Sequence, residues 1–263
     1  MESTSSAPRP AVAVLGAGRL GTVLSGALRA AGFDVRGPLS RHDDVPDVDV
    51  AILCVPDAAI PEAAVRVRPH AHLVGHVSGA TGLDDVDFSI HPLQTFTGTE
   101  DPDVFHGVGA AIAGRTPKAV ATADELARAL GARPFEIDDA HRASYHAAAS
   151  FASNYLLTLL DAAELLARTA GVSDARDLLA PLVRQSVDNW QARGARAALT
   201  GPIVRGDVAT VERQREAAAG ENLGALFDAL AEATGEIVGG DGVSTRSVRS
   251  LAQRADGSTE EAP

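Results

Sequence analysis

The sequence predicts two architectures in one chain: an α/β domain built on a doubly wound, mostly parallel sheet, then an all-α domain. Three observations predict it. Short apolar runs alternate with helical patterns through the first half. A glycine-rich turn joins the first apolar run to the first helix. After Asp138 the strand-like runs stop and long helical stretches take over.

In order, strands are expected at Ala11–Leu15, Asp34–Arg36, Val50–Val55, Leu73–Val77, Phe88–Ile90, Gly109–Ala113 and Pro134–Ile137. Helices start at Thr22, near Ala59 and at Pro117. Thr116 caps the last of these, and Pro117 suits the first helical position. Helices then cover Asp139–Ala170, Ala175–Arg193, Val208–Ala219 and Leu223–Val238. This gives a sheet domain over 11–137, a helical domain over 138–240, and polar, disordered tails at 1–10 and 241–263.

Residues Gly16-Ala17-Gly18-Arg19-Leu20-Gly21 follow directly on the Ala11–Leu15 strand, and a helical run ends at Gly32. In this G-x-G-x-x-G order Gly16 permits a sharp turn and Gly18 a close approach to a pyrophosphate. Gly21 lets the helix pack on the strand, and the helix N–H groups, with Arg19 and Leu20 in the first turn, point at phosphate. A dinucleotide-binding Rossmann domain is therefore expected. The next strand ends in Ser40-Arg41, which suits a ribose 2′-phosphate better than a 2′-hydroxyl, so NADP(H) is the expected cofactor. Val55 and Pro56, at the end of a later strand, should back a cofactor ribose. Ser78, in His76-Val77-Ser78-Gly79-Ala80-Thr81-Gly82, should lie near the nicotinamide.

Composition narrows the partners. The chain has 263 residues and a net charge of −12, which argues against nucleic acid or anionic membrane as a partner. No apolar run reaches membrane-spanning length, and one cysteine, Cys54, suits a reducing cytoplasm and a small core residue rather than a disulfide. No metal site is expected. Lys118 is the only lysine, so none is available in the second half for catalysis.

The segments Val50-Ala51-Ile52-Leu53-Cys54-Val55-Pro56-Asp57, His76 to Gly82, and His91-Pro92-Leu93-Gln94-Thr95-Phe96 occur in this order. With Tyr145–Tyr155 and Ala198–Asp207, they resemble a bacterial family of Rossmann-like proteins with an all-helical C-terminal domain of unknown function. The likeness runs from about Ala11 to Val238. Members are commonly labelled NADP oxidoreductases, sometimes by analogy with deazaflavin-dependent enzymes. The architecture is similar to the 6-phosphogluconate dehydrogenase and ketopantoate reductase superfamily. Relatives there carry a catalytic lysine with an asparagine three or four residues later. On that pattern Asn154 takes the asparagine's place and Ser150 stands where the lysine would be.

The first long helix of the second half is apolar almost all round, which predicts burial. Arg142, His146, Ser150 and Asn154 recur at four-residue intervals and form a polar stripe, expected to meet substrate, the alternative being a hydrogen-bonded seam against another helix or subunit. With the lysine absent, His146 is the expected proton donor, because a histidine titrates near neutral pH. Tyr145 and His91 are weaker candidates for that role. His91 and Gln94 are expected on the substrate side. Arg205, in the Gly/Pro-shaped stretch Thr200–Asp207, presents a planar fork suited to a substrate carboxylate. Trp190 is read as a core or dimer-interface residue. The resulting expectation is an NADP(H)-dependent reductase of a small carboxylated carbonyl or imine, with 2-dehydropantoate the best single substrate. A non-catalytic dinucleotide sensor and a deazaflavin–NADP hydride carrier are the alternatives. A homodimer through the helical domain is expected.

Overall fold

The computed structural model describes residues 9–239, so all but the last two residues of the first expected tail, and the whole of the second, lie outside the described residues. The chain divides into two compact units, Met1–Asn154 and Tyr155–Pro263.

The first unit holds a seven-stranded sheet in the order β2-β1-β3-β4-β5-β6-β7. The strands are β1 Ala11–Leu15, β2 Asp34–Leu39, β3 Val48–Leu53, β4 Ala71–His76, β5 Phe88–Pro92, β6 Gly109–Gly114 and β7 Arg133–Glu136. All neighbours pair in parallel except β5 and β6, whose register runs from Phe88 opposite Gly114 to Pro92 opposite Ala110. Helices α1 Arg19–Ala30, α2 Ile60–Val67 and α3 Pro117–Ala129 cover the sheet. Alternation along each strand divides the core in two. Val12 and Val14 face one cluster with Leu24 and Leu28 of α1 and Leu126 of α3; Ala13 and Leu15 face the other with Ile60 and Val67 of α2. This is the doubly wound arrangement. Thr116 caps α3 by accepting from the Ala119 N–H at 3.2 Å. Strand existence matches the sequence pattern throughout, while β3 and β4 begin two residues early, and β2 runs on to Leu39.

The helical region departs from expectation at its start. The uninterrupted helix expected from Asp139 opens with a 3₁₀ turn at Asp139–His141. It then proceeds as α4 Arg142–Ser150, a π-helical turn at Phe151–Tyr155, and α5 Leu156–Thr169. The expected boundary at Asp138 moves to Asn154/Tyr155, because α4 is anchored to the sheet domain. Arg142, 3% exposed, donates to the Ser89 hydroxyl of β5 at 2.8 Å and to Asp139 at 2.5 Å.

The second unit continues with α6 Ala175–Arg193, the single turns α7 Ala195–Ala198 and α8 Pro202–Arg205, α9 Val208–Gly220 and α10 Gly224–Gly239. Glu164 of α5 pairs with Arg168 and with Arg176 of α6. Arg215 of α9 forks onto Asp228 of α10 at 2.7 and 2.8 Å. Among the described residues of this unit only Ala175, Val211, Ala218 and Ala231 are buried. Phe151 and Tyr155 of the π turn are exposed too. The expectation that the all-round apolar helix is buried is therefore overturned for the single chain: no apolar side chain of α4, the π turn or α5 is buried.

Candidate active site

The glycine turn has the geometry its spacing implies. Gly16 adopts φ +110°, and a side-chain Cβ there would lie 2.1 Å from the Cys54 carbonyl oxygen at the end of β3. A Cβ on Gly21 would lie 1.9 Å from the Gly16 carbonyl oxygen, so the helix can approach the turn only as glycine. Gly18 differs: nothing stands within 4 Å of a Cβ built on it. It is the N-cap of α1 and supplies no side chain, and Gly18 and Arg19 are exposed at this helix end while Leu20 is partly buried against the core and Gly21 buried. These residues fit a pyrophosphate, with Gly16 and Gly21 shaping the turn and Gly18 leaving room.

A second loop reaches the same helix end, which the sequence did not disclose. Gly98, after β5, adopts φ +102° and packs against Arg19 so closely that a Cβ would sit 3.3 Å from its Cα. Glu100 holds this loop by accepting from the Thr97 hydroxyl at 2.7 Å and the Thr97 and Gly98 N–H groups at 2.5 and 2.9 Å. Those bonds, the Thr97 hydroxyl first, hold the Glu100 carboxyl down at about 2.

Ser40 and Arg41 follow β2 in a short turn. Asp43 accepts from the Ser40 N–H at 2.6 Å, and the Ser40 hydroxyl accepts from the His42 N–H at 3.3 Å. The Ser40 bonds hold the Asp43 carboxyl below its usual value. Arg66 of α2 donates to the Ser40 and Asp43 carbonyl oxygens, so a second guanidinium stands at this turn beside exposed Arg41. Only a three-dimensional contact places Arg66 here, 26 residues away in sequence.

At the end of β3 Val55 is partly buried and Pro56 exposed. Cys54 is partly buried, and burial pushes its thiol up to about 12, so it is no nucleophile at neutral pH. Ser78 lies in the loop after β4. Its hydroxyl accepts from the Ala80 and Thr81 N–H groups at 3.1 and 3.0 Å and donates to the Thr81 hydroxyl at 3.1 Å. It fixes the loop after β4 through its own turn. His76, fully buried, holds the same loop: Nδ1 accepts from the Ser78 N–H at 3.2 Å and Nε2 faces the Gly82 carbonyl at 3.0 Å. Burial depresses its basicity.

Over this loop lies His91. Its ring covers Gly79 so tightly that a Cβ there would meet ring atoms at 2.8–2.9 Å. Its Nδ1 lies 2.6 Å from the Tyr145 hydroxyl oxygen, with the two rings edge to face at 5.5 Å. The His146 ring stands 6.2 Å away and Phe135 of β7 flanks Tyr145 at 6.0 Å. Burial, then the charges of His146 and Arg142, push His91 down to about 4 against a weak pull from Asp57. Burial pushes the Tyr145 phenol up to about 12. Both are neutral at pH 7.

The expected polar stripe is broken. Arg142 turns into the sheet, His146 is exposed beside His91, and the π turn shifts the helical register between Ser150 and Asn154. Ser150 is partly buried and Asn154 exposed. The exposed side chain of Gln94 accepts from the Thr95 N–H at 2.9 Å. Arg205 ends α8 in the second unit, between Gly201 at φ +101° and Gly206 at φ +68°. Asp207 caps α9 through the Thr210 N–H at 3.1 Å. Among the described residues no group of three or more His, Cys, Asp or Glu could hold a metal ion, and no helix is long and apolar enough to cross a membrane.

Residues 108–234 match a domain of unknown function, DUF2520, a span that takes in β6, α3, β7 and most of the helical region. The chain is a Rossmann-like protein with a C-terminal helical domain. A Bacteroides fragilis protein provisionally described as an NADP oxidoreductase has 22% identity and a TM-score of 0.74 over 86% of this chain and 98% of its own. The Thermotoga maritima protein TM1727 has 21% identity and a TM-score of 0.70 over the same shares. Pyrroline carboxylate reductase from Plasmodium falciparum, solved with NADP bound, has 11% identity and a TM-score of 0.57 over 88% of this chain and all of its own. At these identities the likeness establishes the fold. No curated protein gives a significant match.

Proposed function

We propose that this protein is an NADP(H)-dependent oxidoreductase that reduces a small carboxylated carbonyl or imine compound, with 2-dehydropantoate the first substrate to test. The glycine turn carries the reading: Gly16 and Gly21 admit no side chain, while Gly18 opens the N-terminus of α1 to space. The descriptions of similarly folded proteins, an NADP oxidoreductase and an NADP-bound reductase, support the cofactor and the reaction class. In this reading the pyrophosphate rests on Gly16–Gly21, the 2′-phosphate meets Ser40 and Arg41 on a turn that Arg66 holds, and Val55 and Pro56 back a ribose. The bound nicotinamide supplies hydride chemistry. His91 and Gln94 face substrate, with His146, Ser150 and Asn154 along α4 and the π turn; Arg205, in the second unit, is by its planar fork a candidate for binding a carboxylate.

A second copy of the chain is the proposed partner, covering the exposed leucines of the helical unit. The test is titration with NADPH and NADH by fluorescence, followed by NADPH oxidation over a panel of 2-oxo acids, imines and a deazaflavin. NADPH binding tighter than NADH, with turnover of a 2-oxo acid, supports the proposal. Binding with no turnover leaves a sensor, and turnover with deazaflavin alone reassigns the substrate.

A further inference from the structure

Hydride reduction of a carbonyl also consumes a proton, which a positioned side chain can deliver. Three strand ends converge in the first unit: Asp57 just after β3, the His76–Gly82 loop after β4, and His91 near the end of β5. In an open α/β sheet, ligands bind at the carboxyl ends of the parallel strands. His91 is seated on Gly79, in that loop, and joined to Tyr145 at 2.6 Å. His146, the expected donor, is exposed and stands 6.2 Å from His91, ring to ring. Arg142 is committed to Ser89 and Asp139.

Resting on the reductase reading above, we propose that the Tyr145 hydroxyl is the catalytic proton donor and that His91, acting through it, resupplies the proton. The proposal requires the His91 tautomer with the hydrogen on Nδ1, donating to the Tyr145 oxygen and leaving the phenolic hydrogen free for substrate. The Tyr145 hydroxyl has a second neighbour that fits this: the His91 carbonyl oxygen at 3.4 Å, an alternative acceptor for that hydrogen. As hydride adds to the carbonyl carbon, the C=O electron pair moves onto oxygen. That oxygen takes the Tyr145 proton, breaking the phenolic O–H bond. The phenolate oxygen takes the Nδ1 proton, and Nε2 takes one from solvent water, whose hydroxide passes to bulk, so that one solvent proton is consumed for each hydride transferred. His91 ends as the other neutral tautomer and no net charge stays on the pair. The relay uses neutral groups only, so it does not need the imidazolium that a free histidine donor loses across neutral pH. The charged and titratable groups facing His91 are His146, Arg142, His76 and Asp57, besides Tyr145 itself.

Two measurements on the full chain test it. The first needs no substrate: side-chain ¹⁵N NMR of the histidines at pH 7, with and without NADPH, the His91 signal assigned by its loss in His91→Asn. A hydrogen on Nδ1 is expected; a hydrogen on Nε2 with a bare Nδ1 commits the tyrosine's hydrogen to His91 and overturns the proposal. The second compares Tyr145→Phe and His91→Asn with wild type on the 2-oxo acid that wild type turns over. General acid catalysis is worth about 10²–10⁴-fold, so Tyr145→Phe is expected to lower kcat about 100-fold or more with NADPH affinity within twofold. His91→Asn is expected to lower kcat less and to retain NADPH binding. Turnover by Tyr145→Phe within threefold of wild type overturns the donor and leaves the reductase standing. Failure of wild type to bind NADPH at all overturns the reductase reading and the donor with it.

Discussion

Arg142 donates to the buried Ser89 hydroxyl at 2.8 Å, and this bond attaches the first helix after the sheet domain to β5. The same guanidinium pairs with Asp139, whose carboxylate also accepts from the Leu83 N–H at 3.2 Å. Burial alone would raise the Asp139 carboxyl, but Arg142 and the Leu83 N–H outweigh it and hold it low. Arg142→Ala leaves the Ser89 hydroxyl unpaired and opens a void, so it is expected to cost about 2–4 kcal/mol of stability. Asp139→Asn, half exposed and still able to accept, is expected to cost about 1 kcal/mol or less. Urea unfolding of the full chain measures both; equal losses would contradict the placement of Arg142.

The three motif glycines separate structure from binding. Gly16→Ala and Gly21→Ala each drive a Cβ into a backbone carbonyl, at 2.1 and 1.9 Å, and both are expected to lower Tm strongly. Gly18→Ala meets nothing within 4 Å and its backbone is extended, so Tm is expected to hold. Its methyl group would still intrude where a pyrophosphate approaches, and NADPH affinity is expected to fall about tenfold or more. Thermal melts with fluorescence titration separate these effects. Full NADPH binding by Gly18→Ala would remove the pyrophosphate from this turn.

The fold was legible because it rests on local rules. Val12 and Val14 alternate with Ala13 and Leu15, the glycine spacing defines a strand–turn–helix, and Thr116-Pro117 is a helix start readable from two residues. What escaped depends on contacts distant in sequence or on a change of helical period. Arg66 reaches Ser40 across 26 residues, and Gly98 reaches Arg19 across the sheet edge. The four-residue stripe presumed a 3.6-residue period, which the π turn at Phe151–Tyr155 does not keep. Tyr145 and His91 were both visible as residue types, yet nothing in their spacing announces a 2.6 Å contact. The burial of Ser78's hydrogen-bonding capacity in its own turn is equally silent in sequence, since a serine in a small-residue loop suits either role.

Cofactor preference is expected to reside in the turn after β2. Arg41 is free to reach a 2′-phosphate, whereas Arg66 holds the turn through the Ser40 and Asp43 carbonyl oxygens. Arg41→Ala is expected to weaken NADPH binding about tenfold and leave NADH unchanged, the loss of one charge-assisted contact. Arg66→Ala releases the turn and is expected to weaken NADPH similarly. Equal loss for both nucleotides would place the 2′-phosphate elsewhere.

His91 makes stability depend on pH. Its folded value, about 4, lies below the ordinary 6.5, so the unfolded chain binds a proton that the native chain refuses. Stability is therefore full above about pH 6.5 and is lost as pH falls from there toward about 4, at roughly 1.4 kcal/mol per unit of difference. Buried His76, shifted in the same direction, adds to the loss. The urea midpoint should fall between pH 7.5 and 4.5, and His91→Asn should flatten part of that slope. An unchanged slope in the variant would place the titration outside the His91–Tyr145 pair.

The helical unit is expected to be stable only as a dimer. Leu178, Leu182 and Trp190 are 66%, 64% and 60% exposed on α6, and Leu157 of α5 is exposed nearby. A groove of about 460 Å³ lies between these helices, lined by Leu157, Leu160, Leu179, Leu182 and Val183. Each such leucine gains about 1.5–3 kcal/mol when fully buried, and leaving several in water on a unit whose described residues bury only Ala175, Val211, Ala218 and Ala231 is a poor compromise for one copy. A twofold partner can present the same helix face, so each leucine serves both sides of one self-complementary surface. Leu182→Glu places a charge in that surface in both copies at once. Light scattering is expected to show a dimer for wild type and a monomer for Leu182→Glu, with lowered helical stability but intact NADPH binding by the sheet domain. A wild-type monomer at micromolar concentration would mean that something other than a second copy covers α6.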